Sequence, residues 1–129
     1  AGGERLYGSH LLTSLVANEV VQIAMPDVKH CGGVKEAVIA GRSVIAAGGK
    51  YSLHSPSGPV SLLASAHATA AVEGASPLEH AVNETDWRFE VLEPAERIEN
   101  GRLWFTDRIG IGALLHTNLV NRLGSRWKP

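Results

Sequence analysis

Four ionisable residues stand directly behind short strand-like runs. They are Glu4 in "GERLYG", Asp27 in "MPDVKHCGG", His54 in "LHSPSGP" and Glu79 in "PLEH". Carboxylates and an imidazole gathered at one rim are the groups that acid–base chemistry uses, since each can give or take a proton. Asp27 and His54 occupy similar settings, which raises the question of whether they share one site. The competing reading is structural, because a carboxylate at a strand end also caps the helix that follows.

A rim requires elements that bring the four residues to the same edge. "VVQIAM" (20–25) is short, rich in β-branched residues and closed by Pro26, so it reads as a buried strand. After Gly32-Gly33 the apolar positions Val34, Ala37, Val38, Gly41, Val44 and Ile45 follow a helical period that Gly48-Gly49 closes. "KYSL" (50–53) is a second strand. Ser57-Gly58-Pro59 opens another helix, with proline where a missing N–H costs nothing. That helix carries Val60, Leu63, Ala64, His67, Ala70 and Ala71 and ends by Gly74, and Pro77-Leu78 starts a third short strand. Upstream, residues 11–17 read as a helix and the first residues as the end of a strand. The order strand, helix, strand, helix, strand, helix, strand implies βαβ units and a parallel sheet. In such architectures the active site lies at the C-terminal strand ends, where the four residues fall. Beyond residue 80 the pattern changes. "ERIENGRLWF" is a hairpin around Asn100-Gly101, and residues 114–123 read as a last short helix.

Composition narrows the function classes. The 129 residues suit one domain, and 44% apolar content suffices for a buried core. A net charge of −1 argues against nucleic acid as a partner. No apolar window reaches the length of a membrane span, and "AGGERLYG" lacks the pattern of a signal peptide. The single cysteine, Cys31, cannot form an internal disulfide, which fits a reducing, cytoplasmic compartment.

Taken together, "GERLYG", "MPDVKHCGGVKEA", "HSPSGPVSLLASAHATAA" and "PLEH" resemble the later half of the barrel domain of the enolase superfamily, in its mandelate racemase branch. "HSPSGP" is most similar to acid-sugar dehydratases of the galactonate dehydratase kind. The resemblance implies an α/β fold: strands five to eight of a TIM-type (β/α) barrel over residues 1–80, and a tail over 81–129 with a hairpin and a short helix. It also implies roles. Glu4 falls where the family places a carboxylate ligand of Mg²⁺, a hard cation that prefers oxygen. Asp27 and His54 match the family's Asp–His pair, in which the imidazole exchanges a proton with the substrate. Glu79 matches a residue that contacts the carboxylate of the substrate. The reaction implied is removal of the proton α to a sugar-acid carboxylate, then loss of water; racemisation or epimerisation by the same pair is the alternative. Leu53 stands where the family usually has proline before the histidine, and "DRIGIG" replaces a Pro-Gly-Leu-Gly turn.

The family's other two metal ligands, the opposite acid or base and the capping domain lie on strands before those matched. The chain alone is therefore expected to be inactive, and completion by a homo-oligomeric partner or by an N-terminal half is expected, because half a barrel leaves open strand edges and an open inner face. A further alternative is a non-catalytic module built on a truncated barrel. Among the remaining residues, His30 reads as a supporting side chain, His67 as a satisfied core histidine and Cys31 as a packed thiol. Glu73 is a helical alternative to Glu79. Trp87, Trp104 and Trp127 read as tail residues covering the barrel, and His10, His80 and His116 show no partner pattern.

Overall fold

The computed structural model describes residues 1–124. Trp127 lies outside the described residues. Two short strands, β1 (Ile23–Ala24) and β2 (Lys50–Tyr51), run parallel. Helix α1 (Ser9–Ala17) precedes them, α2 (Val34–Ala46) joins them, and α3 (Pro59–Ala70) follows. Two more segments extend the parallel array. Gly2 bridges Ala24 in parallel, and the Met25 N–H donates to the Gly2 carbonyl at 2.8 Å. On the other side the Ser76 N–H donates to the Tyr51 carbonyl at 2.7 Å, and Ser52 Oγ donates to the Pro77 carbonyl at 2.8 Å. Residues 76 and 77 thus advance in step with 51 and 52. The Pro77-Leu78 segment does not form the third strand anticipated from sequence. The second link to β2 comes from a side-chain hydroxyl rather than from the backbone ladder.

The helices cover one face of this array. Leu12 and Val16 of α1, Ala37, Ala40 and Val44 of α2, and Ala68 of α3 pack with Ala24, Cys31, Tyr51 and Leu53 into one buried cluster. Cys31 is fully buried, as a packed thiol should be, and burial pushes its pKa up. Small residues on α2 let it approach closely. A Cβ on Gly41 would come within 2.8 Å of the Tyr51 ring and 2.9 Å of Val72 Cγ2. The Tyr51 hydroxyl crosses the core to donate to the Ala37 carbonyl at 2.7 Å, so its polar atom is satisfied although the side chain is fully buried. The first turn of α2 also serves α1. Gly8 at the N-cap of α1 has no side chain to offer, and Glu36 Oε1 accepts the Ser9 N–H at 2.6 Å instead.

The tail contains a 3-10 turn (Arg88–Glu90), β3 (Leu92–Glu93), β4 (Arg97–Glu99), β5 (Arg102–Trp104), β6 (Leu114–Leu115) and α4 (Thr117–Leu123). Strands β4 and β5 form the hairpin read from Asn100-Gly101, and both turn residues have positive φ, 52° and 72°. Residues 114 and 115 are a strand rather than the start of the last helix, because they pair antiparallel with β3. Glu73 lies beyond the end of α3, exposed, not inside the helix. Trp87 and Trp104 each keep more than two-fifths of their surface exposed, so they cover less than anticipated. Among the described residues, no helix is long and apolar enough to cross a membrane.

Candidate functional site

The parallel ladder sets the rim. Backbone N–H groups of Lys50, Ser52 and His54 donate in turn to the carbonyls of Gln22, Ala24 and Pro26 at 2.9, 3.1 and 3.0 Å. The offset of 27 residues that pairs Ile23 with Lys50 and Ala24 with Tyr51 also separates Asp27 from His54. The two residues are therefore register partners just past the strand ends. The spacing of 25 between His54 and Glu79 is that between Tyr51 and Ser76, its hydrogen-bonded neighbour. Glu4 lies in a turn two residues beyond the bridge of Gly2 to β1. Equal progress along neighbouring parallel segments is the physical reason the spacings of 27 and 25 bring Asp27, His54 and Glu79 to one rim.

Asp27 is fully buried, and its carboxylate accepts three hydrogen bonds. Oδ1 takes the Lys29 backbone N–H at 2.8 Å. Oδ2 takes His54 Nδ1 at 3.0 Å and the Lys29 ammonium at 2.9 Å. Burial pushes the Asp27 carboxyl up, but the Lys29 N–H and ammonium and the His54 ring outweigh it and hold the group below its ordinary value. An ionised carboxylate can only accept, so His54 Nδ1 must carry the proton between them. In the neutral ring the lone pair then sits on Nε2, a base pointing away from Asp27. Glu79 Oε2 accepts the Ser55 N–H at 2.8 Å, which ties the residue after the base to the next segment of the rim.

Sequence reasoning missed Lys29. The lysine lies two residues beyond Asp27 in "PDVKH", and spacing along the chain does not reveal that its side chain doubles back. Glu4 is exposed, and among the described residues no group of three or more His, Cys, Asp or Glu side chains could hold a metal ion. His30 and His80 are exposed. His67 is not the satisfied core histidine anticipated. It is half-buried, its ring stacks on Phe105 with centroids 4.4 Å apart, and its Nε2 has no hydrogen-bond partner among the described residues.

Residues 1–118 match the family model described as enolase C-terminal domain-like. The chain belongs to this family. The solved structure of a mandelate racemase/muconate lactonizing enzyme from Jannaschia sp. CCS1 superposes with a TM-score of 0.84 at 24% identity, over 98% of this chain and 32% of that one. That likeness supports the fold: the parallel array and its helices are part of the family's TIM-type barrel. Two curated relatives are also similar. A D-xylonate dehydratase from Haloferax volcanii is 27% identical over 124 residues, which is 93% of this chain and 29% of that protein. An arabinonate dehydratase from Saccharolobus solfataricus is 29% identical over 113 residues, 87% of this chain and 30% of that protein. The chain thus spans about three-tenths of the length of the curated relatives it matches.

Proposed function

We propose that this chain supplies the base side of an acid-sugar dehydratase site, with the Asp27–His54 pair as its working centre. The observation that carries the reading is the Asp27 Oδ2 to His54 Nδ1 contact of 3.0 Å at the carboxyl edge of a parallel array. It holds the imidazole in one tautomer, with the lone pair of the neutral ring on Nε2. The similarity to two proteins named as sugar-acid dehydratases supports the choice of substrate class.

The chemistry follows from what Nε2 can do. It takes the proton from the carbon next to the carboxylate of an aldonic acid. The C–H electron pair moves into the new carbon–carbon double bond of an enediolate. That pair then expels hydroxide from the neighbouring carbon, hydroxide leaves as water with a proton from an acid, and the enol product rearranges to a 2-keto-3-deoxy acid. Asp27 steadies the imidazolium formed in the first step without itself taking the proton. Glu79 fixes the backbone at Ser55 and so holds the loop that carries His54; its other oxygen is the one available to the substrate. Glu4 would give one oxygen to Mg²⁺, whose charge would favour the enediolate, but the described residues do not complete such a site. The remaining ligands come from further polypeptide, either a preceding half or a partner chain.

Deuterium incorporation at C2 of aldonic acids tests this reading. His54→Asn keeps a similar shape but cannot take the proton, so incorporation should fall about 10²–10⁴-fold. Unchanged incorporation in His54→Asn refutes the assigned base. Incorporation without loss of water identifies racemase or epimerase chemistry on the same pair.

A further inference from the structure

Lys29 makes two contacts that its place in the chain does not require. Its ammonium lies 2.9 Å from Asp27 Oδ2, the oxygen that also meets His54. The same ammonium donates to Ser57 Oγ, 28 residues away on the loop between β2 and α3. We infer that Lys29 is a positioning residue for His54, fixing Asp27 in one orientation and tying together the two loops that carry the pair. This inference rests on the proposed role of the Asp27–His54 pair.

The geometry explains why the ammonium is needed. A carboxylate can rotate about its last bond and swing both oxygens out of line with their donors. Here the Lys29 backbone N–H holds Oδ1 at 2.8 Å while the Lys29 side chain holds Oδ2. Rotation away from this orientation would break both. Each carboxylate oxygen offers about two lone-pair directions. On Oδ2 the ammonium takes one, and His54 Nδ1 meets the other. The Ser57 contact adds a cross-link that neither Asp27 nor His54 provides, because Ser57 sits three residues past the base. Lys29 therefore limits how far the loop at 54–57 can move away from the loop at 27–30. Its side chain is about one-third exposed, so the bridge lies at the open side of the rim.

Nitrogen-15 NMR of the His54 ring tests the inference in the chain without substrate, at about pH 8.5, where histidine is normally neutral. The His54→Asn spectrum assigns the signals. The unsubstituted chain should show one tautomer, protonated at Nδ1, with slow exchange of that proton. Lys29→Met should give a mixture of both tautomers and faster exchange, while Lys29→Arg, whose guanidinium can still reach the carboxylate, should restore the single form. Ser57→Ala should speed exchange without losing the dominant tautomer. A single Nδ1-protonated form with unchanged exchange in Lys29→Met overturns the inference. Should Lys29→Met not fold, unchanged exchange in Ser57→Ala overturns it equally. Because no substrate is present, failure here leaves the dehydratase reading standing.

Discussion

Replacing Asp27 with asparagine changes one atom type at the centre of the rim, and the structure sets the size of the effect. The buried carboxylate accepts from the Lys29 N–H, the Lys29 ammonium and His54 Nδ1. An amide has a single acceptor oxygen. If that oxygen meets the backbone N–H, the amide NH₂ faces two other donors, and both charge-assisted contacts are lost. Lys29 and His54 each keep about one-third of their side-chain surface in water and can resolvate, so the full cost of breaking a buried pair does not apply. Two hydrogen bonds to a charged group, discounted for that exposure, put the loss at about 2–4 kcal/mol at pH 7. In urea this lowers the unfolding midpoint by about 1–3 M. The pH dependence is the sharper test. A carboxyl held below its ordinary value stabilises the fold above its unfolded pKa of about 3.9, and that contribution disappears as pH falls through the folded value. The stability difference between the unsubstituted chain and Asp27→Asn, measured from pH 7 down to pH 3, should therefore shrink toward acid. A difference below about 0.5 kcal/mol at pH 7, or one that stays constant to pH 3, refutes the electrostatic role assigned to this carboxylate.

Three further outcomes follow from the packing. Gly41→Ala pushes a methyl group against the Tyr51 ring and Val72, and thermal or urea unfolding should show a loss of about 1–3 kcal/mol despite the better helix propensity of alanine. Tyr51→Phe removes the hydroxyl that reaches the Ala37 carbonyl and should cost about 0.5–1.5 kcal/mol in the same assay, with little change in helix content by circular dichroism. Glu96→Ala removes the carboxylate that accepts from Nε of the buried Arg88 at 2.7 Å while the Arg88–Glu84 ion pair remains; calorimetry should record destabilisation of about 1.5–3 kcal/mol, and Arg88→Met combined with Glu96→Leu should recover much of it.

The parts of the fold legible in sequence are those set by local chemistry. Asn100-Gly101 specifies a turn through its tolerance of positive φ, and the hairpin forms around it. Pro59 and the stripe that follows mark the start of α3 correctly. The rim is legible because parallel register converts spacing into proximity, as the shared offset of 27 residues for Ile23–Lys50 and Asp27–His54 shows. What depends on distant partners is not legible. Leu114 and Leu115 resemble the first turn of a helix until β3 pairs with them. Pro77 resembles the start of a strand, but its segment is held by a serine hydroxyl and one backbone bond. Lys29 looks like an ordinary surface lysine, since nothing nearby in the chain announces Ser57 or the return to Asp27.

The most direct test of the proposed chemistry is proton exchange at C2 of a sugar acid, in deuterium oxide with Mg²⁺, by the native assembly that contains this chain. Native mass spectrometry of the purified material shows whether a further polypeptide accompanies this chain. Deuterium should enter C2, water should be lost to give a 2-keto-3-deoxy acid, and both should vanish in His54→Asn. Exchange that persists undiminished in His54→Asn would contradict the assignment of the Asp27–His54 pair as the base.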